Sequence, residues 1–311
     1  METDSAKGDS AGFGRRCILG AALLWSFSGA VTKSLDLPAL PIAFYRGVFA
    51  GLALLPFVPK ARWTFRPAMI PCTLMFGAMT GLYIAAIKAT TAANAILLQY
   101  TAAFWLIPAS ALILRERPDR RSVIGIALAM VGIVAIVLYG HNGQADEGLG
   151  ILLGLGSGIG YAGVVIGLRG LRDLDPIWLS AVNNLGGALV LGTWMLAASG
   201  PIPLPTLRQG LVLFAFGVVQ MAIPYILFAR GLRSVSAPEA GLIALLEPVL
   251  NPIWVVIVTG ERPARATVIG GLFLLAGVAC RYGPPPRALL KTTPTKVEAA
   301  GQTGSEQHPE T

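Results

Sequence analysis

The chain is short of almost everything that soluble enzymes use for chemistry. Of its 311 residues 13% are charged, two are histidine and three are cysteine. His141 and His308 both fall in polar segments, so a membrane-embedded nucleophile such as Ser157 has no base beside it. No aspartate lies within a long apolar run, which removes an intramembrane aspartyl dyad. Cys17, Cys72 and Cys280 lack metal-ligand spacing, and the chain has no Asn-x-Ser/Thr sequon. No cofactor, metal or catalytic residue is therefore expected. The run Gly158-Ile159-Gly160-Tyr161-Ala162-Gly163 satisfies the dinucleotide-binding glycine pattern, but no strand precedes it and it sits inside an apolar stretch. Gly150, Gly154 and Gly158 read instead as a small-residue ridge that lets helix backbones approach closely, as do Gly77 and Gly81.

What is present is apolar length. Hydrophobic residues make up 54% of the chain, glycine contributes 37 residues and the mean hydropathy is +0.67. The apolar runs have the length a helix needs to cross about 30 Å of hydrocarbon, whereas barrel strands would alternate over about ten residues. The expected fold is all-α and membrane-integral, with ten transmembrane helices over 17–33, 39–58, 68–87, 91–114, 122–139, 149–168, 177–198, 207–229, 237–259 and 266–282. The formal charge of +8 is a topology signal rather than a nucleic-acid one. With both termini placed in the cytoplasm, Lys7, Arg15, Arg16, Lys60, Arg62, Arg66, Arg115, Arg117, Arg120, Arg121, Arg169, Arg172, Arg230, Arg233, Arg281, Arg287, Lys291 and Lys296 all fall inside. Only Lys33, Lys88, Arg208, Arg262 and Arg265 fall outside. Arg46 alone is left within a span.

The chain also repeats itself. Lys88 to Gly132 lies over Arg233 to Gly277 without a gap, matching Glu116-Arg117-Pro118 to Glu261-Arg262-Pro263 and Val123-Ile124-Gly125 to Val268-Ile269-Gly270. Each copy holds five expected spans, so the second enters the bilayer inverted, an arrangement typical of transporters. The division is a cytoplasmic tail over 1–14, a first repeat over 15–140, an external linker over 141–148, a second repeat over 149–282 and a cytoplasmic tail over 283–311. Both tails read as disordered. Arg15-Arg16 before an apolar stretch also resembles a signal peptide, with Ser28-Gly29-Ala30 as its cleavage site; keeping the first helix preserves the pairing of the repeats.

An ionisable side chain at mid-membrane costs about 2.5–3.5 kcal/mol on insertion scales, so Arg46 and Glu247 are the leading site residues. Arg46 reads as an anion or carboxylate clamp and Glu247 as a proton carrier; the plain alternative makes each a structural partner of a bent helix. Glu239 reads as a helix N-terminal charge. Asn94, Gln99, Asn183, Asn184, Gln220 and Asn251 either glue helices together or face a cavity. Trp25, Tyr83, Tyr100 and Tyr161 lie deep enough to stack on a substrate, whereas Tyr45, Trp105, Trp178, Trp194, Tyr225 and Trp254 suit interfacial belts and packing. Pro248 and Pro252, four apart in one span, mark a kink or gate.

Four features together resemble the EamA-type members of the drug/metabolite transporter superfamily. They are Leu23-Leu24-Trp25, Arg46, the Ala92–Pro118 stretch ending Leu114-Arg115-Glu116-Arg117, and Leu246-Glu247-Pro248 followed by Gly260-Glu261-Arg262. The resemblance covers about residues 15–282 and implies a ten-helix carrier working by alternating access, commonly an exporter of amino acids or other small metabolites in exchange for protons. Its partners would be a small-molecule substrate, the lipid bilayer and protons, and its place the bacterial inner membrane. Two positions depart from the family pattern: Ala103 stands where the first repeat often carries the proline seen at Pro248, and Arg115 stands opposite Gly260. Two rival readings stay open, an uptake carrier for a vitamin or organic anion that leans on Arg46, and a membrane scaffold or lipid-handling subunit.

Overall fold

A computed structural model describes residues 2–102, 104–105, 120–139, 146–171, 173–198, 200–231, 234, 243–244 and 246–282. Among them there is no strand. The helices are α1 (Glu2–Trp25), α2 (Ser28–Ser34), α3 (Ala39–Leu54), α4 (Met69–Ala89), α5 (Ala92–Gln99), α6 (Arg120–Tyr139), α7 (Glu147–Gly170), α8 (Pro176–Ala198), α9 (Leu207–Gly217), α10 (Ile223–Gly231), α11 (Leu246–Thr259) and α12 (Arg265–Tyr282). A π-helical segment, Val218–Ala222, joins α9 to α10. Six stretches are long and apolar enough to cross a membrane, from Gly12–Ser34 through Leu207–Phe228, and Ala127–Tyr139, Leu246–Thr259 and Arg265–Gly277 are shorter apolar helices. Glu239, Ala103, Pro108, Glu116-Arg117-Pro118 and the tail from 283 lie outside the described residues, and the expected external linker is described only from Asp146.

Two expectations are corrected. The first helix starts at Glu2, within the stretch expected to be a disordered tail. Once an apolar helix is nucleated, extending its backbone through the polar residues ahead of it costs little. The same span is not one rod. It breaks at Ser26-Phe27, where the Ser26 hydroxyl donates to the Leu23 carbonyl (2.6 Å) and the Phe27 N–H reaches the Leu24 carbonyl at 3.4 Å. A serine bonding back into its own helix loosens the regular ladder, which is one identifiable cause of a break.

Packing joins the halves pairwise: α3 with α8, α6 with α12, α4 with α7, α1 with α10, α2 with α11, α5 with α7, α3 with α9 and α4 with α8. The outer faces are apolar, with Leu152, Leu189, Ile257 and Leu272 each more than 60% exposed. Polar groups lie inside. Arg46, Asn94, Asn183, Asn184, Gln220 and Asn251 are all buried. That inside-out distribution suits a bundle whose solvent is lipid.

The α6–α12 crossing brings backbone directly against backbone. A β-carbon added at Gly132 would collide with the Gly270 carbonyl oxygen, and one added at Gly277 with that of Gly125. As the chain advances from 125 to 132 its partners retreat from 277 to 270, so the two helices cross antiparallel. Gly125 and Gly270 are equivalent in the repeat, as are Gly132 and Gly277, so exchanging the halves turns each contact into the other.

Candidate functional site

The break in the first span exposes backbone where a continuous helix would hide it, and side chains from three other spans converge there. Trp25, the last residue of α1, packs edge-on against Tyr225 (5.5 Å between centroids) and beside Phe228 (5.3 Å). Its carbonyl accepts a hydrogen bond from the Gln220 amide (3.3 Å). Gln220 sits on the π-helical segment, where an extra residue in the turn re-aims side chains, and such segments concentrate at functional sites. The Gln220 Oε1 accepts from Arg46 Nη1 (3.2 Å). One amide thus ties the guanidinium on α3 to the break at the end of α1.

Arg46 is 3% exposed, lies 5.1 Å over the Phe216 ring, and its Nε has no hydrogen-bond partner. Arg46 takes part in none of the ion pairs Lys33–Glu261, Arg62–Asp175 and Arg66–Asp173. The cation–π contact offsets part of the cost of burial but supplies no counter-charge. Among the described residues Glu247 likewise has no cation in contact. Its carboxylate lies 3.1 Å from the Tyr100 hydroxyl, which is as close to the Ala244 carbonyl and donates to one of the two at a time. Tyr225 packs on Trp25 beside the Gln220–Arg46 link and Tyr100 holds Glu247, so tyrosines stand near both charges, and the two charges are not in contact with each other.

Beyond the break, the Ser28 hydroxyl is 2.9 Å from the Tyr83 hydroxyl and accepts from the Asn251 amide (3.0 Å). Trp254 donates to the Ser26 hydroxyl (2.9 Å) and stacks on Phe27 (4.8 Å). Pro252 lies inside α11 and lacks the N–H that would reach the Pro248 carbonyl, while the neighbouring Asn251 leaves its buried Oδ1 unpartnered.

The structure therefore gathers Trp25, Arg46, Tyr83, Tyr100, Gln220, Glu247 and Asn251 around the break. Tyr161 lies beside Tyr225 in a cluster with Met79, Val164 and Met221, and Gln99 is half-buried at the end of α5. Two candidates sit elsewhere. Asn94, in the first turn of α5 capped by Thr91, donates its amide to the Thr90 hydroxyl and accepts from Thr267 (2.8 Å), and Asn183 accepts from Thr73 (2.9 Å) and donates to the Cys72 sulfur. Both glue helices. Ser26, Ser28 and Phe216 escaped the sequence reading, and Tyr225 and Trp254 were given to belts and packing. The signal for the serines was Ser26-Phe27-Ser28-Gly29 itself, a local hydrogen-bonding run in mid-span.

The EamA-like transporter family matches residues 13–138 and again 148–282. An uncharacterized transporter of Archaeoglobus fulgidus is 32% identical over 270 residues, 86% of this chain and 95% of its own. The pseudopaline exporter CntI of Pseudomonas aeruginosa is 26% identical over 266 residues, 84% of this chain and 92% of its own. A solved crystal structure superposes with a TM-score of 0.62 at 18% identity, covering 86% of this chain and 95% of that one, and so shares the fold.

Proposed function

The chain belongs to the EamA-like transporter family and is a multi-pass membrane protein, and on that footing we propose that it is a secondary carrier which exports small polar metabolites such as amino acids across the bacterial inner membrane. It works by alternating access between two inverted five-helix repeats, with both termini in the cytoplasm. The double family match and the exchange of the Gly132–Gly270 and Gly125–Gly277 contacts support the repeat, and the excess of Lys and Arg on one side supports the topology. The relative whose printed name is that of an exporter supports the direction.

The observation that carries the substrate reading is a pair of opposite charges near the break, Arg46 buried and Glu247 half-buried, neither with an ionic partner in contact among the described residues. A guanidinium held by Gln220 and Phe216 presents an unpartnered Nε–H, the donor a carboxylate takes in forked geometry. Glu247, held by Tyr100 on α11, accepts an ammonium group or a proton. A zwitterion satisfies both poles, so binding it replaces water with matched charge at each end. When the substrate leaves, Glu247 takes up a proton rather than remain an uncompensated anion inside the bilayer, and that exchange couples efflux to the proton gradient.

Efflux from proteoliposomes loaded with mixed amino acids and metabolites, with and without an imposed pH gradient, tests this. One class of zwitterionic compound leaves selectively from wild-type vesicles, the gradient accelerates it, and Arg46→Ala abolishes it. Unchanged selective efflux in Arg46→Ala removes the clamp. A folded wild-type protein that moves nothing in the pool, while lipid scrambling or partner recruitment depends on it, returns the scaffold reading.

A further inference from the structure

The short half-helix α2 has a hinge at one end and a latch at the other. At the hinge, Ser26-Phe27 interrupts the first span beside the site, and Ser28 bonds both Tyr83 and Asn251. At the far end, Lys33 in the last turn of α2 donates to Glu261 (2.7 Å) and to the Thr90 carbonyl (2.8 Å). The same Glu261 carboxylate accepts from the Ala92 backbone N–H (2.9 Å), the first residue of α5. Glu261 reaches this position because Gly260, at φ +75°, ends α11 in the left-handed turn that a glycine permits. Lys88, at the end of α4, donates to the Leu35 carbonyl (2.6 Å) just past α2. The contacts thus tie together the ends of α2, α4, α5 and α11, across both halves of the chain.

Arg62–Asp175 and Arg66–Asp173 also join the halves, and Lys33–Glu261 differs from them in kind. Arg62–Asp175 and Arg66–Asp173 connect loops, and their arginines are 60% and 44% exposed. Lys33 and Glu261 are 14% and 16% exposed, so their attraction is less screened and each would be costly to leave alone in place. The pair also stands at the end of the two elements, α2 and α11, that line the site with Ser28, Glu247 and Asn251.

We propose that α2 is the gate on the face that carries Lys33, swinging about Ser26-Phe27, and that Lys33–Glu261 is the latch that holds it shut. The gate rests on the alternating-access reading above. Opening this face separates the tip of α2 from α5 and α11, so the ion pair, the Thr90 bond and the Leu35 bond break together while the hinge contacts persist. The Glu261 carboxylate remains satisfied in part by the α5 N-terminus, which limits the cost of opening and keeps the latch reversible.

Thiol accessibility reads the gate without requiring a known substrate. In a background carrying Cys17→Ala, Cys72→Ala and Cys280→Ala, Thr32→Cys places a reporter on α2 at a position 0% exposed, and Ala30→Cys at 3% exposed serves if that variant misfolds. A membrane-impermeant maleimide is added from the Lys33 face of the intact membrane. Adding Glu261→Gln or Lys33→Met speeds labelling about tenfold, the scale of one coupling free energy of 1–3 kcal/mol. Lys33→Arg leaves labelling slow. The double exchange Lys33→Glu with Glu261→Lys does not restore slow labelling, because it sets an ammonium group against the α5 N-terminus. An unchanged labelling rate in Glu261→Gln, with an unaltered thermal midpoint showing that it is folded, overturns the latch. Faster labelling sustains it even where efflux fails to appear, in which case the substrate reading fails alone.

Discussion

Arg46 and Glu247 stood out in the sequence because a charge in an apolar run is expensive, and burial bears out the expense for Arg46. The sequence did not reveal what holds it: a glutamine from a distant span and a phenylalanine face, neither of which neutralises the charge. This sets the expected behaviour of conservative variants. Arg46→Lys keeps the charge but loses the planar fork and the stacked contact, so substrate affinity falls at least about tenfold in efflux assays, with the larger loss for carboxylates over uncharged analogues. Glu247→Gln keeps the shape and the Tyr100 contact while removing the ionisable group. Gradient-driven efflux disappears and substrate exchange across a symmetric membrane survives. Retained gradient dependence in that variant would remove Glu247 as the coupling residue.

Among the helices, the long regular ones were legible and the broken ones were not. The helices predicted over 39–58, 68–87, 149–168 and 177–198 correspond closely to α3, α4, α7 and α8, because a continuous apolar run dictates a helix wherever lipid is the solvent. The break at Ser26-Phe27 and the π-helical segment at Val218–Ala222 depend on tertiary partners, Trp254 on one side and Arg46 on the other, which periodicity cannot display. The proline pair stands out in the sequence, yet the feature that ties α11 to the site is the Asn251–Ser28 bond beside it. Helix starts in the loops are plainer. Asp175 accepts from the Ile177 and Trp178 N–H groups ahead of Pro176, an Asp-Pro start with the acidic cap and first-turn proline that helices favour. Partial burial works against the Asp175 carboxylate, but the Arg62 hydrogen bond and the two amides prevail and hold its pKa below the usual carboxylate range. A lowered pKa means stability present at neutral pH and lost as acid protonates the group. The thermal midpoint of detergent-solubilised protein therefore falls on acidification from about pH 6 to about pH 3, and Asp175→Asn, which can keep the cap but loses the Arg62 ion pair, has a slightly lower midpoint at neutral pH, by up to about 1 kcal/mol, and a flatter profile.

Taken whole, the molecule is arranged so that exchanging its halves maps one set of packing pairs on another: α4 with α7 corresponds to α1 with α10, α2 with α11 to α5 with α7, and α3 with α9 to α4 with α8. The repeat behind this was visible in the residues matched between 88–132 and 233–277, whereas the crossing they build was not, since the glycines of α6 and α12 read only as generic small residues. Their contacts decide the sign of a simple test. Gly148 has open space around its α-carbon, so Gly148→Ala gains the ordinary helix benefit of about 0.5–1 kcal/mol. Gly132→Ala instead drives a methyl into the Gly270 carbonyl and destabilises by about 1–3 kcal/mol, read as a lower thermal midpoint.

The same crossing has a consequence for biosynthesis. It joins α12, the last of the described helices, to α6 near the middle of the chain, and a nascent protein is made and inserted from its N-terminus onward. While the second half is still emerging from the ribosome, Gly125 and Gly132 of α6 wait without the α12 backbone that covers them in the finished bundle. A transcript truncated before Gly270 leaves a chain that inserts but never closes, with a vacant helix-binding surface that marks it for quality control.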